Sequence, residues 1–294
     1  MRVRKAVIPA AGFGTRFLPV TKSVPKAMLP IVARPVIQYV VEEAVASGIE
    51  QIIMVTGENR EPLEAYFDRN VALEATLRQT GKQALLDEVI RIADLANIAY
   101  VTQKEPLGNG HAVLMARYVV GDEPFAVLWG DDILISRPPV AQQLIEVAER
   151  YAAPVIGVRR VPPDDFEKYG MVEVKDRDGR MGRAVSVVEK PRRDDSPSDL
   201  AQIGGFVLTP DVFDILAETP VGPSGEIYLA DALITLMQRR TVYTYEFSGR
   251  RYDAGNKLDF LRATVDMALA DPELGPTFRE FLTEVVRREG AVAG

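Results

Sequence analysis

Lys5 to Pro30 reads KAVIPAAGFGTRFLPVTKSVPKAMLP. Its first five residues, Lys5-Ala6-Val7-Ile8-Pro9, form a short apolar run closed by a proline, the pattern of a buried parallel strand that stops there. A loop of small residues follows, Ala10-Ala11-Gly12-Phe13-Gly14-Thr15, and then the cations Arg16, Lys22 and Lys26. Small side chains leave the backbone N–H groups of such a loop open to close approach, and successive N–H groups in a turn form an anion-binding concavity. Cations beside that concavity suit a polyphosphate. Two familiar phosphate loops do not fit. The G-x-x-x-x-G-K-[ST] spacing is absent after Gly12 and Gly14, and Phe17 stands where a dinucleotide fingerprint carries its third glycine or alanine.

Working outward, Arg34 to Gly48 begins near a proline and ends at a glycine, which predicts a helix with apolar residues along one face. Ile52-Ile53-Met54-Val55-Thr56 then reads as a second buried strand, so the chain opens as a βαβ unit. From about 60 to 96 the sequence is charged, with leucines at helical spacing, and predicts an insertion of one or two helices broken near Gly81. A strand over 98–102 leads into Gln103-Lys104-Glu105-Pro106-Leu107-Gly108-Asn109-Gly110-His111. There the glycines admit close backbone approach and Gln103 offers a donor and an acceptor to a base edge. His111 reads first as a partner of a nearby backbone carbonyl.

Pro124 to Ile133 is an apolar strand running into Asp131 and Asp132. Carboxylates at the carboxyl end of a strand lie in the crevice where open α/β sheets bind ligands, and they suit Mg²⁺. Asp131, directly after Gly130, is the preferred ligand. Beyond a helix over 139–151 and a strand over 154–161, the runs 170–174 and 183–189 alternate around Asp176-Arg177-Asp178-Gly179, a hairpin pattern. Glu189-Lys190-Pro191 closes it, with Lys190 placed to clamp a phosphate. Strands over 203–209 and 242–247, helices from Pro210 and Gly225, and a second isolated aspartate, Asp253, before Gly255 complete the pattern. The class is α/β: a Rossmann-like, doubly wound, mixed but mostly parallel sheet with flanking helices, a helical insertion and a small β-rich part. Residues 1–271 are expected to form the main domain and 272–294 a C-terminal helical extension.

Composition restricts the chemistry. The 294 residues contain no cysteine and a single histidine. Thiolate nucleophiles, disulfides, cysteine-bound zinc and multi-histidine metal sites are therefore excluded. What remains is carboxylates, lysines, arginines and backbone, which suffices for nucleotidyl transfer because the substrate supplies the nucleophile. A formal net charge of −7 argues against a nucleic-acid partner. The basic amino terminus lacks the continuous apolar stretch of a signal peptide, and no window approaches the ~18 apolar residues of a membrane helix. A cytoplasmic location is the expectation.

The opening stretch resembles the signature of sugar-1-phosphate nucleotidyltransferases, G-x-G-T-R followed by L-P-x-T-x-x-x-P-K, here Gly12 to Arg16, Leu18 to Thr21 and Pro25-Lys26. Leu85-Leu86-Asp87-Glu88-Val89, Gly110-His111-Ala112-Val113-Leu114, Val188-Glu189-Lys190-Pro191 and Gly255-Asn256-Lys257-Leu258 narrow it. Together they resemble the bacterial UTP:glucose-1-phosphate uridylyltransferases, or UDP-glucose pyrophosphorylases, from Lys5 to about Leu282. The resemblance implies that Ala11, Gly12, Gln103 and Gly108 hold uracil. It implies that Arg16 stabilises the departing pyrophosphate and Lys26 the α-phosphate. Gly170, Glu189, Lys190 and Gly204 would bind glucose 1-phosphate, and Asp131 and Asp253 would share Mg²⁺. It further implies a homodimer or homotetramer. The chain departs from the family pattern in having Trp129-Gly130 before Asp131, Ala27 after Lys26, the pair Gly205-Phe206, and Tyr228. The competing readings are the same reaction with dTTP or galactose 1-phosphate, and a catalytically silent nucleotide-sugar sensor.

Overall fold

In the computed structural model, which describes residues 1–292, the opening run is strand β1 (Lys5–Pro9), and both of its faces are dry. Val7 belongs to one apolar cluster, with Ile53, Val55, Phe125 and Val127, while Ala6 and Ile8 belong to another, with Ile52, Met54, Ala126 and Leu128. Alternation between two buried faces is why these strands read as continuous apolar runs rather than as amphipathic ones.

After β1 come the two-residue strands β2 (Pro30–Ile31) and β3 (Arg34–Pro35), helix α1 (Val36–Ala46) and β4 (Gln51–Thr56). Helices α2 (Glu61–Phe67), α3 (Val71–Gln79) and α4 (Gln83–Ala93) precede β5 (Asn97–Thr102). Next are α5 (Asn109–Met115), α6 (Arg117–Val120), β6 (Phe125–Val127), β7 (Asp132–Ile135), α7 (Val140–Tyr151) and β8 (Val155–Arg160). The second half comprises β9 (Gly170–Asp178), β10 (Met181–Glu189), β11 (Leu200–Leu208), α8 (Asp211–Glu218), α9 (Leu229–Arg239), β12 (Tyr243–Glu246) and β13 (Arg250–Asp253). Helices α10 (Lys257–Ala270) and α11 (Gly275–Val292) follow, and residues 293 and 294 of the expected C-terminal extension lie outside the described residues.

Nine strands form one mixed sheet in the order β5-β4-β1-β6-β11-β8-β12-β10-β9. Only β10 and β11 run against the others. Helices α1, α2 and α7 cover one face and α5, α8 and α9 the other, giving the doubly wound arrangement. The hairpin β9–β10 forms the antiparallel end, longer than its sequence pattern suggested. A separate two-stranded ribbon pairs β7 with β13 and packs Ile133, Tyr252 and Ala254 against Ile31, Val36 and Ala263.

The insertion contains three helices, not one or two. The break at Gly81 is present, and a second falls at 68–70. There the Asn70 side chain accepts the Leu73 N–H at 3.0 Å and starts α3 as an N-cap. Helix α9 begins at Leu229 rather than at Gly225, because Gly222 to Tyr228 turns on its own backbone hydrogen bonds before entering the helix. Among the described residues no helix is long and apolar enough to cross a membrane.

Helix α1 buries Glu43 at 8% exposure, and its carboxylate accepts the Ala141 N–H at 3.0 Å in the first turn of α7. Burial pushes this carboxyl up from 4.5 to about 8, against the pull of the Ala141 N–H and with a push from Asp132. A folded-state pKa above the unfolded value means that the folded state holds the proton more tightly. The stability this confers is fully present below the unfolded pKa and is lost as pH rises through the folded one. Glu43→Gln retains an acceptor for Ala141 and removes the titration. Thermal unfolding followed from about pH 5 to about pH 8 is expected to show a smaller loss of stability in the variant than in the parent.

Candidate active site

The carboxyl ends of β1, β4, β5 and β6 meet at one edge of the sheet. Ala10 N–H donates to Val55 at 2.7 Å, Gln103 N–H to Thr56 at 2.8 Å and Leu128 N–H to Val7 at 3.0 Å, so the three following loops are registered by the sheet itself. Between them lies a cleft of about 430 Å³ lined by Ala11, Gly12, Lys26, Gln103 and Gly108. A second hollow of about 370 Å³ shares Ala11, Gly12 and Gln103 and adds Lys22 and Lys104. An open α/β sheet binds ligands at this edge.

Gly14 explains how the first loop reaches Lys26. Its φ is +62°, and a Cβ there would lie 2.9 Å from Lys26 Cβ and 3.0 Å from Thr21 Cγ2. Thr21 Oγ1 donates to the Gly14 carbonyl at 2.8 Å. The glycine-rich loop and the Pro25-Lys26 segment are therefore packed face to face, and a side chain at position 14 would part them. Arg16 does not line the cleft. Its guanidinium donates to the Gly255 carbonyl at 3.3 Å, and Phe17 meets Phe260 edge-on at 5.4 Å, which anchors the loop to the start of α10.

The two expected metal aspartates are brought together. In the β7–β13 ribbon Asp132 stands opposite Asp253, and Ala254 N–H donates to the Asp131 carbonyl at 2.8 Å. A Cβ on Gly255 would fall 2.7 Å from Asp131 Oδ2, 2.9 Å from Asp253 Oδ1 and 3.4 Å from Lys26 Nζ. Both carboxylates and the ammonium thus surround a single point, and Lys26 forms an ion pair with Asp131. Asp132, at 4% exposure, takes Arg251 at 2.6 Å. Burial pushes its carboxyl up to about 6 against the opposing pull of that guanidinium.

The residues expected on the sugar side form a second group, on the wall built by β9, β10 and β11, and do not line the cleft. Gly170 pairs with Glu189 across the hairpin, and a Cβ at Gly170 would meet the Gln202 amide and Glu189 Oε2. Gly204 has φ +89° and its α-carbon lies under the Phe247 ring, a position that requires glycine. Lys190 Nζ stands 3.6 Å from Glu189 Oε1, and its N–H donates to the Tyr169 carbonyl at 3.0 Å. Burial raises the Glu189 carboxyl, Lys190 opposes it, and Glu226 and Asp231 add to the rise. Glu226 also lines the cleft, so the two groups are neighbours.

Gln103 departs from its expected use. Its amide NH₂ donates to the Gly108 carbonyl at 3.0 Å and to His111 Nδ1 at 3.0 Å, since the opposite orientation would set two carbonyl oxygens together. Both donors are spent inside the protein and only Oε1 is left for a ligand. His111 is bonded to this side chain, not to a backbone carbonyl as the sequence suggested.

A model of the family described as "Nucleotidyl transferase" matches residues 5–269. The chain is 47% identical over 288 residues to the UTP–glucose-1-phosphate uridylyltransferase YngB of Bacillus subtilis, a match spanning 98% of this chain and 97% of the relative. The chain belongs to the nucleotidyl transferases, among the UTP–glucose-1-phosphate uridylyltransferases. The UTP-bound enzyme of Acinetobacter baumannii superposes with a TM-score of 0.90 at 40% identity, over 96% of this chain and 99% of that one. A UDP-glucose pyrophosphorylase complexed with UDP-glucose gives 0.85 at 39%, over 92% and 100%.

Within this uridylyltransferase framework several residues escaped the sequence reading. Trp129 and Asn109 line the cleft, and Asn109 Oδ1 accepts the Leu229 N–H at 2.9 Å, joining α5 to α9. The Asp132–Arg251 pair had one usable signal, the R-x-D spacing of Arg251 and Asp253, which puts both on one face of a strand. Gly255→Ala tests the convergence directly. The added methyl would force Asp131 and Asp253 off their common point, and nucleotidyl transfer is expected to fall about 10²-fold while the thermal unfolding temperature stays within a few degrees. Parent-like kcat in the alanine variant would show that the point is not used.

Proposed function

We propose that this chain transfers UMP from UTP to glucose 1-phosphate, releasing pyrophosphate and forming UDP-glucose. The observation that carries the reading is the meeting of the Lys26 ammonium with the carboxylates of Asp131 and Asp253 beside a glycine-lined cleft. A binding-only protein has no need of a cation and two carboxylates at one point.

The roles follow from chemistry. Backbone at Ala11 and Gly12, with Gln103 and Gly108, takes the base. The free acceptor of Gln103 matches the ring N3–H of uracil or thymine and meets a lone pair on cytosine. The phosphate oxygen of glucose 1-phosphate attacks the α-phosphorus in line, forming a P–O bond as the bond to pyrophosphate breaks. Lys26 leaves Asp131 to stabilise charge building on the α-phosphate, and Arg16 stabilises the departing pyrophosphate. Glu189 accepts from sugar hydroxyls, Lys190 holds the sugar phosphate, and the close backbone at Gly170 and Gly204 leaves room for the ring.

Asp131 and Asp253 would hold Mg²⁺. The fit is supported by two carboxylates around one point where an ammonium already serves as counter-cation, with no nitrogen or sulfur donor required. When bound, such an ion would supply charge neutralisation on the triphosphate. The catalytic unit is residues 1–271, followed by a C-terminal extension that is helical over 275–292, working in the cytoplasm as a homodimer or homotetramer, without a nucleic-acid or membrane partner.

Purified protein with Mg²⁺, assayed by pyrophosphate release, is expected to turn over UTP with glucose 1-phosphate and to discriminate against CTP by about 10²-fold or more in kcat/KM. Parallel assays with dTTP and galactose 1-phosphate set the strictness for base and sugar. Lys26→Ala should lower kcat by about 10²- to 10³-fold, the loss typical of one preorganised charge-stabilising donor. Binding of UDP-glucose with no turnover of any nucleotide would overturn the enzymatic reading.

A further inference from the structure

The buried pair Asp132–Arg251 has no part in the roles above, yet it lies between the two halves of the site. Asp132 and Arg251 side chains are 5% and 12% exposed, and Arg251 donates to Asp132 Oδ1 at 2.6 Å. On the other side its guanidinium donates to the Tyr169 hydroxyl at 3.1 Å and stacks 5.3 Å from that ring's centre. The Tyr169 carbonyl accepts the Lys190 N–H, and Gly170, the next residue, pairs with Glu189. One guanidinium therefore touches both the ribbon that carries Asp131 and Asp253 and the tyrosine from which Lys190 is suspended.

Burial makes this pair costly to form. Asp132 Oδ2 and Arg251 Nε are buried without hydrogen-bond partners among the described residues. Removing two charges from water costs several kcal/mol each, and incompletely bonded buried pairs are often matched or surpassed by apolar residues. An arrangement that is costly to form and sits at the junction of two substrate-facing groups points to geometry as its purpose. Arg251 and Asp253 lie two residues apart on one strand and so share a face, with Asp132 directly across from Asp253. A shift of the guanidinium would therefore tilt the aspartate ribbon relative to Lys190.

We infer that Arg251 is a positioning residue for the transfer: through Asp132 on one side and Tyr169 on the other, it fixes the distance between the Asp131/Asp253 point and the sugar-phosphate side at Lys190 and Glu189. The inference rests on the proposed uridylyl transfer. It assigns no contact between Arg251 and substrate. It couples the two sides, so that an ion held by the aspartates and a sugar phosphate held by Lys190 each favour the same placement of the ribbon.

Three variants test this: Arg251→Lys, Arg251→Met, and the double change Arg251→Met with Asp132→Asn. The double variant leaves no orphaned carboxylate and is the one expected to fold if the single methionine variant does not. Thermal unfolding is measured with kcat, KM for UTP and for glucose 1-phosphate, and titration of Mn²⁺ by the fluorescence of Trp129, the chain's single tryptophan, with and without UDP-glucose. The double variant is expected to be folded, with kcat reduced about 10²-fold, KM for UTP within about threefold of the parent, and KM for glucose 1-phosphate raised about tenfold. In the parent, UDP-glucose should tighten Mn²⁺ binding about tenfold, and in the double variant this linkage should vanish. Arg251→Lys keeps the charge but not the fork to Tyr169, and should recover stability with only part of the kcat. A folded double variant with parent kcat and parent Mn²⁺ linkage would overturn the role of Arg251. A parent that binds Mn²⁺ and UDP-glucose with that linkage but releases no pyrophosphate from any nucleotide would overturn the transfer reading while leaving the role of Arg251 in coupling standing.

Discussion

Two carboxylates, Asp131 and Asp253, are held within 3 Å of a single point by the pairing of β7 with β13 and by the Ala254 N–H donated to the Asp131 carbonyl beside it. At an effective dielectric of 20, such charges repel by on the order of 3 kcal/mol. The chain answers this repulsion with two cations from different directions. Lys26, delivered by the first loop, sits on the open side against Asp131, and Arg251 sits on the buried side against Asp132. The glycine-rich loop, the packing of Gly14 on Lys26 and the grip of Arg16 on the Gly255 carbonyl all serve to bring the first of these cations to that point.

The sheet order accounts for the place where this happens. From β1 the chain crosses through α1 to β4 and β5 on one side, then returns to lay β6 on the other side of β1. Loops leaving β1 and β6 diverge at such a reversal and leave a crevice between them. Gly130, after β6, donates its N–H to the Pro9 carbonyl at the end of β1 at 3.3 Å, so the crevice narrows to backbone contact at its base and opens above into the cleft. Burial of β1 on both faces makes this floor rigid, and a rigid floor lets short loops hold side chains in register.

How much of this could be read in advance depended on how local each cause was. The strand Lys5–Pro9, its small-residue loop and the cations after it are adjacent in sequence and were legible as a phosphate-facing unit. The flanking helices were legible from their proline and glycine boundaries. The separate start of α3 in the insertion was not, because a single side-chain cap at Asn70 sets it. Nor was the β7–β13 ribbon, since four-residue strands far apart in the chain carry no mark of their partner. Asp132 looked like a spare for Asp131 until Arg251 was seen beside it. Pairing across the fold is invisible to spacing rules, and so were the partners of Glu43, Tyr169 and Gln103.

The sequence offers His111, the single histidine, as the partner of a nearby backbone carbonyl rather than as a catalyst. The ring instead receives a hydrogen bond on Nδ1 from the Gln103 amide, which is possible only while that nitrogen carries no proton. Accepting there fixes the amide with its NH₂ toward the protein and its oxygen toward the cleft. In the fold the imidazole therefore acts through a neighbour, holding the side chain of a cleft residue in one orientation.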